Sequence, residues 1–215
     1  MKLSITLLES NQVIQAHILE ALKGHLNQAL VRIAAPIGTK IKEAITDSLR
    51  REPEYFSLTQ GELRLEFGIP DVGAVDTVIN QLVNTLVVNT QPLVVTGRGL
   101  SGGISFTMMS SDTLGDVIYD PAAQVTDEAR GYTLPWLSWL LLKGNTAIVK
   151  AYSVKLGPYP NSSRTGGAIM VESQSDWRVP TNFAGSSQSN WTTRAVDAAG
   201  SSILEILQTS IGNIL

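Results

Sequence analysis

Apolar residues at Ile14, Ile18, Leu22, Leu26, Leu30, Ile33, Ile37, Ile41, Ile45 and Leu49 recur every three or four positions, the signature of one very long amphipathic helix over 9–51. At ~1.5 Å per residue such a helix reaches on the order of 50 Å, longer than the core of a small domain needs. Part of it must therefore lean on something other than its own domain. Pro36 and Gly38 fall inside the stripe without shifting its register, which predicts a kink or short break there and no domain boundary. Glu52-Pro53 ends the helix, because the residue before a proline is pushed out of the α region.

After it, 55–68 reads as a turn with a short extended piece, and Asp76 as the cap of a second helix ending near Val88. From Pro92 the pattern alternates around the glycine-rich run Gly97 to Gly103, predicting a β-hairpin over about 92–111 that projects from the domain. Pro135 opens a short apolar helix ending at Lys143-Gly144. Two more strands are expected at 147–156 and 167–173, joined by the Pro/Asn/Ser/Gly-rich loop 157–166, and helical spacing returns from 190 to 215. Strands segregated from helices with no βαβ unit predict an α+β fold. Its long N-terminal and C-terminal helices pack on a small antiparallel sheet, with core sheet and helices over 132–215, in a single domain spanning 1–215.

Several function classes drop out on residue type alone. The chain has no cysteine, which removes disulfides, thiolate metal sites and cysteine nucleophiles. A formal charge of -3 gives no basic footprint for gripping nucleic acid. The apolar start, Met1 to Leu8, is cut short by Glu9, Asn11 and Gln12, too early for a signal peptide, and no stretch approaches a membrane span. Charged residues make up only 16% of the chain, below the usual ~25%, and a surface so poor in charge suits permanent contacts.

The motifs with a chemical look lack their surroundings. Gly99-Leu100-Ser101-Gly102-Gly103 resembles the nucleophile loop of trypsin-type serine proteases, but the two histidines, His17 and His25, sit eight apart in the first helix with no orienting acid. Gly97-x-Gly99-x-x-Gly102 has dinucleotide-fingerprint spacing, yet Ile104 to Met108 alternates as a strand where a phosphate-binding helix is required. The histidines lack metal-ligand spacing, and Asp112, Asp116 and Asp120 lack the denser oxygens and closing glutamate of a calcium loop. No catalytic residue, cofactor or metal is expected. Trp136 and Trp139 lie one helical turn apart among leucines, the spacing of a core or an interface.

The order of the remaining motifs resembles a known family. Glu52-Pro53-Glu54-Tyr55-Phe56 and the residues to Gly68 come after a long helix. Leu134-Pro135-Trp136-Leu137-Ser138-Trp139 runs on to Lys143-Gly144; then come Ser163-Arg164-Thr165-Gly166-Gly167, Trp177-Arg178-Val179-Pro180 and Trp191-Thr192-Thr193-Arg194-Ala195. This succession is similar to neck proteins of tailed bacteriophages, the head-tail connector or tail-completion kind, with no counterpart over 90–119. The resemblance implies a homo-oligomeric ring in the virion, between the portal/adaptor assembly and the tail terminator or tube proteins, with DNA passing through its lumen without specific binding and no membrane partner. The candidate interface residues are Arg98 at the hairpin tip, Trp136 and Trp139, and Ile203, Leu207, Ile211 and Ile214 on the last helix. Two alternatives are a baseplate or tail-tube-associated structural protein and a carbohydrate-binding adhesin module, the last needing exposed aromatic rings beside polar groups.

Overall fold

The computed structural model describes residues 9–128 and 131–212. Helix α1, Asn11–Arg51, begins where the Ser10 hydroxyl accepts the Val13 N–H. It runs without a break through Pro36, where a kink or short break was expected. Pro36 and Arg32 are both exposed, so the Arg32 carbonyl that loses its N–H partner is open to water and the interruption costs little. Gly38 has a packing role instead: a Cβ there would stand 2.7 Å from Cγ2 of Val88. Glu52, in extended conformation before Pro53, closes the helix as the sequence predicts.

Residues 55–68, expected as a turn and an extended piece, are helical: α2 spans Pro53–Gln60 and α3 Glu62–Phe67. Elements this short show too few repeats for periodicity to reveal them, and tertiary burial of Leu58, Leu63 and Phe67 decides their conformation. Helix α4, Gly73–Asn84, opens with the Gly73 N–H donating to the Asp71 carboxylate at 2.8 Å. The expected cap, Asp76, accepts instead from Arg50 at 2.9 Å and ties α4 to the end of α1.

Strands β1, Val87–Thr96, and β2, Gly99–Thr107, form the hairpin, five residues earlier than expected because Val87 and Val88 extend the strand and not the helix. Helix α5, Ser111–Ile118, holds Asp112 and Asp116. After a 3-10 turn at Pro121–Ala123, β3 (Val125–Asp127) pairs with β4 (Tyr132–Leu134), and α6 spans Trp136–Leu142. The segment expected as one strand over 147–156 is two, β5 (Ala147–Val149) and β6 (Tyr152–Leu156), parted by Ala151 in a left-handed conformation whose N–H donates to Asp176. Strand β6 pairs with β7 (Ala168–Glu172), β5 with β8 (Trp177–Arg178), and α7 (Trp191–Gly212) closes the fold.

The architecture is α+β, with long first and last helices, small antiparallel sheets and a hairpin. Among the described residues the strands make four separate two-stranded ribbons where one sheet was expected. With no shared sheet, helices supply most of the core. It gathers Ile37, Ile41, Ile45 and Leu49 of α1 with Ile79 and Leu82 of α4, Trp136 and Leu140 of α6, and Trp177, Trp191 and Ala195. Helix α7 starts beside the end of α1, where the indole N–H of Trp191 donates to the Leu49 carbonyl at 3.1 Å. It then runs back antiparallel along α1, so that Ile203 faces Ile41 and Ile45.

Candidate assembly surface

The core occupies only the second half of α1. Between Asn11 and Pro36 one side chain, Ala29, is buried and Ile33 packs half-buried against the core, so the stretch from Asn11 to Gln28, roughly 27 Å at ~1.5 Å per residue, stands clear of the core. The hairpin accompanies this stretch. Val88 meets Gly38, and further out the Asn27 amide donates to the Leu93 carbonyl (3.3 Å) while accepting the Leu93 N–H (2.7 Å). Two contacts eleven helix residues and five strand residues apart place β1 antiparallel to α1. Helix and hairpin thus form one arm, with α7 reaching back toward its base.

The arm is apolar without being covered. Ile18 is 53% and Val31 67% exposed on α1, Val94 and Val95 are exposed on β1, and Leu204 is 55% and Ile211 45% exposed on α7. Between α1, α7 and the base of the hairpin lies a groove of about 340 Å³ lined by Ile41, Leu86, Phe106, Met108, Val196 and Ile203. Charge is scarce: over 87–107 the only ionisable side chain is Arg98.

The candidate interface residues separate into three groups. Arg98 is exposed at the turn, and residues 94–98 are exposed with it, while the rest of the hairpin leans on α1 and does not stand free. Ile203 and Leu207 are half-buried against the core and Ile211 is exposed, whereas Ile214 lies outside the described residues. Trp136 is a correction. It is fully buried with its indole N–H donating to the Ala122 carbonyl at 3.1 Å, so it fills the core and offers no surface; Trp139, one turn on, is half-buried. Trp177 and Trp191 are buried as well, and a sugar platform would need open rings. Val13, Val31 and Leu204 were missed. The available signal was that α1 and α7 carry apolar residues beyond the width of one stripe.

The motifs with a chemical look occupy unrelated places. Ser101 is exposed on β2, and His17 and His25 are exposed on α1. The glycine run leads into β2 and not into a helix. Gly102, at φ +139°, faces Pro92 across the bulge, where a Cβ would sit 2.7 Å from the Pro92 carbonyl oxygen; it serves the turn of the backbone. Among the described residues no group of three or more His, Asp or Glu side chains could hold a metal ion. Two carboxyls are perturbed: the hydrogen bond from the Ala151 N–H holds Asp176 below its usual value. Burial pushes Glu66 up to about 7, opposed by a hydrogen bond from the Trp177 indole and reinforced by Glu62. No helix among the described residues is long and apolar enough to cross a membrane. Compared with protein-family models, curated proteins and solved structures, the chain finds no match in any of the three.

Proposed function

We propose that this chain is a non-enzymatic structural subunit that assembles into a ring in the neck of a tailed bacteriophage, joining the portal/adaptor side of the head to the tail and leaving a lumen for DNA. The observation that carries the reading is the arm. Exposed apolar side chains gather along α1, β1 and α7, and burying each contributes about 1.5–3 kcal/mol once a neighbour covers it. A patch on one side of a subunit that meets a different patch on the next repeats by rotation and closes a ring. The resemblance in motif order to phage neck proteins supplies the location, and the scarcity of cations on the hairpin suits DNA that passes without being held.

Sedimentation velocity combined with negative-stain imaging of the purified protein tests the proposal. Closed rings of uniform diameter are expected. A species that stays monomeric at every concentration, or a hydrolytic activity lost in Ser101→Ala, would overturn it.

A further inference from the structure

The hairpin has one protected edge and one open edge. On β1 the Asn27 amide occupies both backbone groups of Leu93 as a neighbouring strand would, Pro92 beside it brings no N–H, and the register slips between Gln91 and Val94. Lysines, prolines and bulges are the usual means of blunting a sheet edge. Strand β2 has none of them: Gly99–Thr107 contains no charge and no proline, and the extra residue of the bulge sits on β1. Apart from the Gly99 carbonyl, which accepts from the Thr96 hydroxyl, no backbone group of β2 has a hydrogen-bond partner beyond β1 among the described residues. Nine residues of uncharged, unpaired edge are a template for an added strand.

The order of residues along that edge is close to palindromic. Outward from Gly103 in the two directions, Ile104 answers Gly102, Ser105 answers Ser101, Phe106 answers Leu100 and Thr107 answers Gly99. A second β2 laid antiparallel, with Gly103 on a twofold axis, sets each Ser101 opposite a Ser105 and each Leu100 opposite a Phe106. Residues directly opposite each other in antiparallel strands share a face. Within the hairpin Phe106 is opposite Val88, whose side chain meets Gly38, so this side of β2 faces α1. Leu100, Ile104 and Phe106 are half-buried on it, while Ser101, Ser105 and Thr107 are exposed on the other.

We infer that two copies of the chain pair β2 to β2 in this register, making one four-stranded antiparallel sheet across the twofold axis. Serine meets serine on the outer face, leucine meets phenylalanine on the inner one, and no charge is buried. The two Gly103 residues bring no side chain to the axis. Complete overlap of the strands adds about eight to ten backbone hydrogen bonds. A second copy is the occupant because the strand complements itself, and because the blunted edge of β1 bars the alternative in which β1 of one hairpin pairs with β2 of the next. Helix α1 is tied to β1, the strand farther from the axis, through Gly38 and Asn27. The two β1 strands stand about 14 Å apart across the sheet, wider than the roughly 8–10 Å at which helices pack, so the two α1 helices leave each other room. An isologous contact of this kind closes on two copies and does not rest on the ring reading. In a ring built through the apolar arm, it joins one ring to a second, face to face.

The absence of cysteine makes the test clean. Ser101→Cys and Ser105→Cys are co-expressed on two chains with different tags and oxidised mildly. The register sets the two thiols opposite each other, within the roughly 7 Å between Cα atoms that a disulfide tolerates, whereas two copies of one variant hold theirs about 14 Å apart. A disulfide-linked heterodimer is expected from the pair and not from either variant alone. No disulfide in the pair, or equal cross-linking of the single variants, overturns the inference. Ser101→Lys with Ser105→Lys sets like charges opposite each other on the exposed face. It should halve the mass of the sedimenting particle, dimer to monomer or paired rings to single rings, with the helical circular dichroism retained. An unchanged mass overturns the pairing and leaves the ring reading standing. Dimers that split in the lysine variant, with no rings from either protein, support the pairing and overturn the ring reading.

Discussion

Glu66 lies on α3 with its Oε2 3.4 Å from the Trp177 indole nitrogen, and the Glu62 carboxylate stands one turn away on the same helix. Because burial raises its pKa from 4.5 to about 7, the folded chain holds a proton between those values that the unfolded chain has released. The stability tied to that proton is fully present below about pH 4.5 and is lost as pH rises through about 7. Partial exposure and the indole hydrogen bond limit the loss to about 1–3 kcal/mol. Glu66→Gln keeps an acceptor for the indole and removes the charge. Thermal melts from pH 4 to 8 should show the wild type losing stability relative to the variant as pH rises, and parallel curves would refute the assignment. A second prediction concerns the hairpin backbone. Gly102→Ala forces a side chain into a conformation at φ +139° and against the Pro92 and Gln91 carbonyls, at a cost of about 1–3 kcal/mol. Gly97→Ala, with open space around it, should be near neutral. Hydrogen exchange of the hairpin amides, accelerated in Gly102→Ala alone, is the measurement.

Helix α7 shows how an element can be fastened at one end and free at the other. At its start the Asn190 carboxamide accepts from the N–H groups of Thr192 (3.0 Å) and Thr193 (3.1 Å), and Arg194 pairs with the buried Glu54 and, at 3.6 Å, with Glu52. Toward its end Leu204 and Ile211 face solvent. Since these two already sit largely in water, Leu204→Ser with Ile211→Ser should shift monomer stability by less than about 1 kcal/mol and yet eliminate rings in sedimentation. Loss of folding in that double variant would place the residues in the core of the subunit instead. The long elements α1 and α7, the short helix α6 and the hairpin were legible in the sequence because their periodicities repeat or their turn residues stand out. Helices α2 and α3 were not, being too short for a period to emerge. The division of 147–156 depends on an aspartate twenty-five residues away that holds Ala151, and no local pattern carries such information. The Trp136/Trp139 spacing fits a core and an interface equally, so only burial separates the two residues. Open surface was foreseen in kind, on α1 from a length beyond what a small core needs and on α7 at Ile203, Leu207, Ile211 and Ile214, but which side chains remain bare depends on where the hairpin lies.

At the scale of the molecule, the distribution of charge decides what kind of force can hold copies together. The arm carries exposed valine, isoleucine and leucine with a single ionisable side chain on the hairpin, and the chain as a whole is only 16% charged with a net charge of -3. Association through such a surface draws on apolar burial and backbone pairing and very little on ion pairs. Salt separates the two. At ~1 M the screening length falls to about 3 Å, so contacts built on surface ion pairs weaken, while mutual repulsion among subunits of like net charge is also screened. Rings held by the arm should therefore persist or gain population between about 0.1 and 1 M sodium chloride, and excluded salts such as sulfate should favour them further. Temperature supplies an independent sign. Apolar association weakens on cooling and carries a negative heat-capacity change, so the ring population should fall between about 25 and 4 °C, and dilution calorimetry should give a dissociation enthalpy that varies steeply with temperature. Rings that dissolve at high salt and are indifferent to cooling would mean that Arg98, Arg50 or other exposed ions make the contact, and the apolar arm would then need a different occupant.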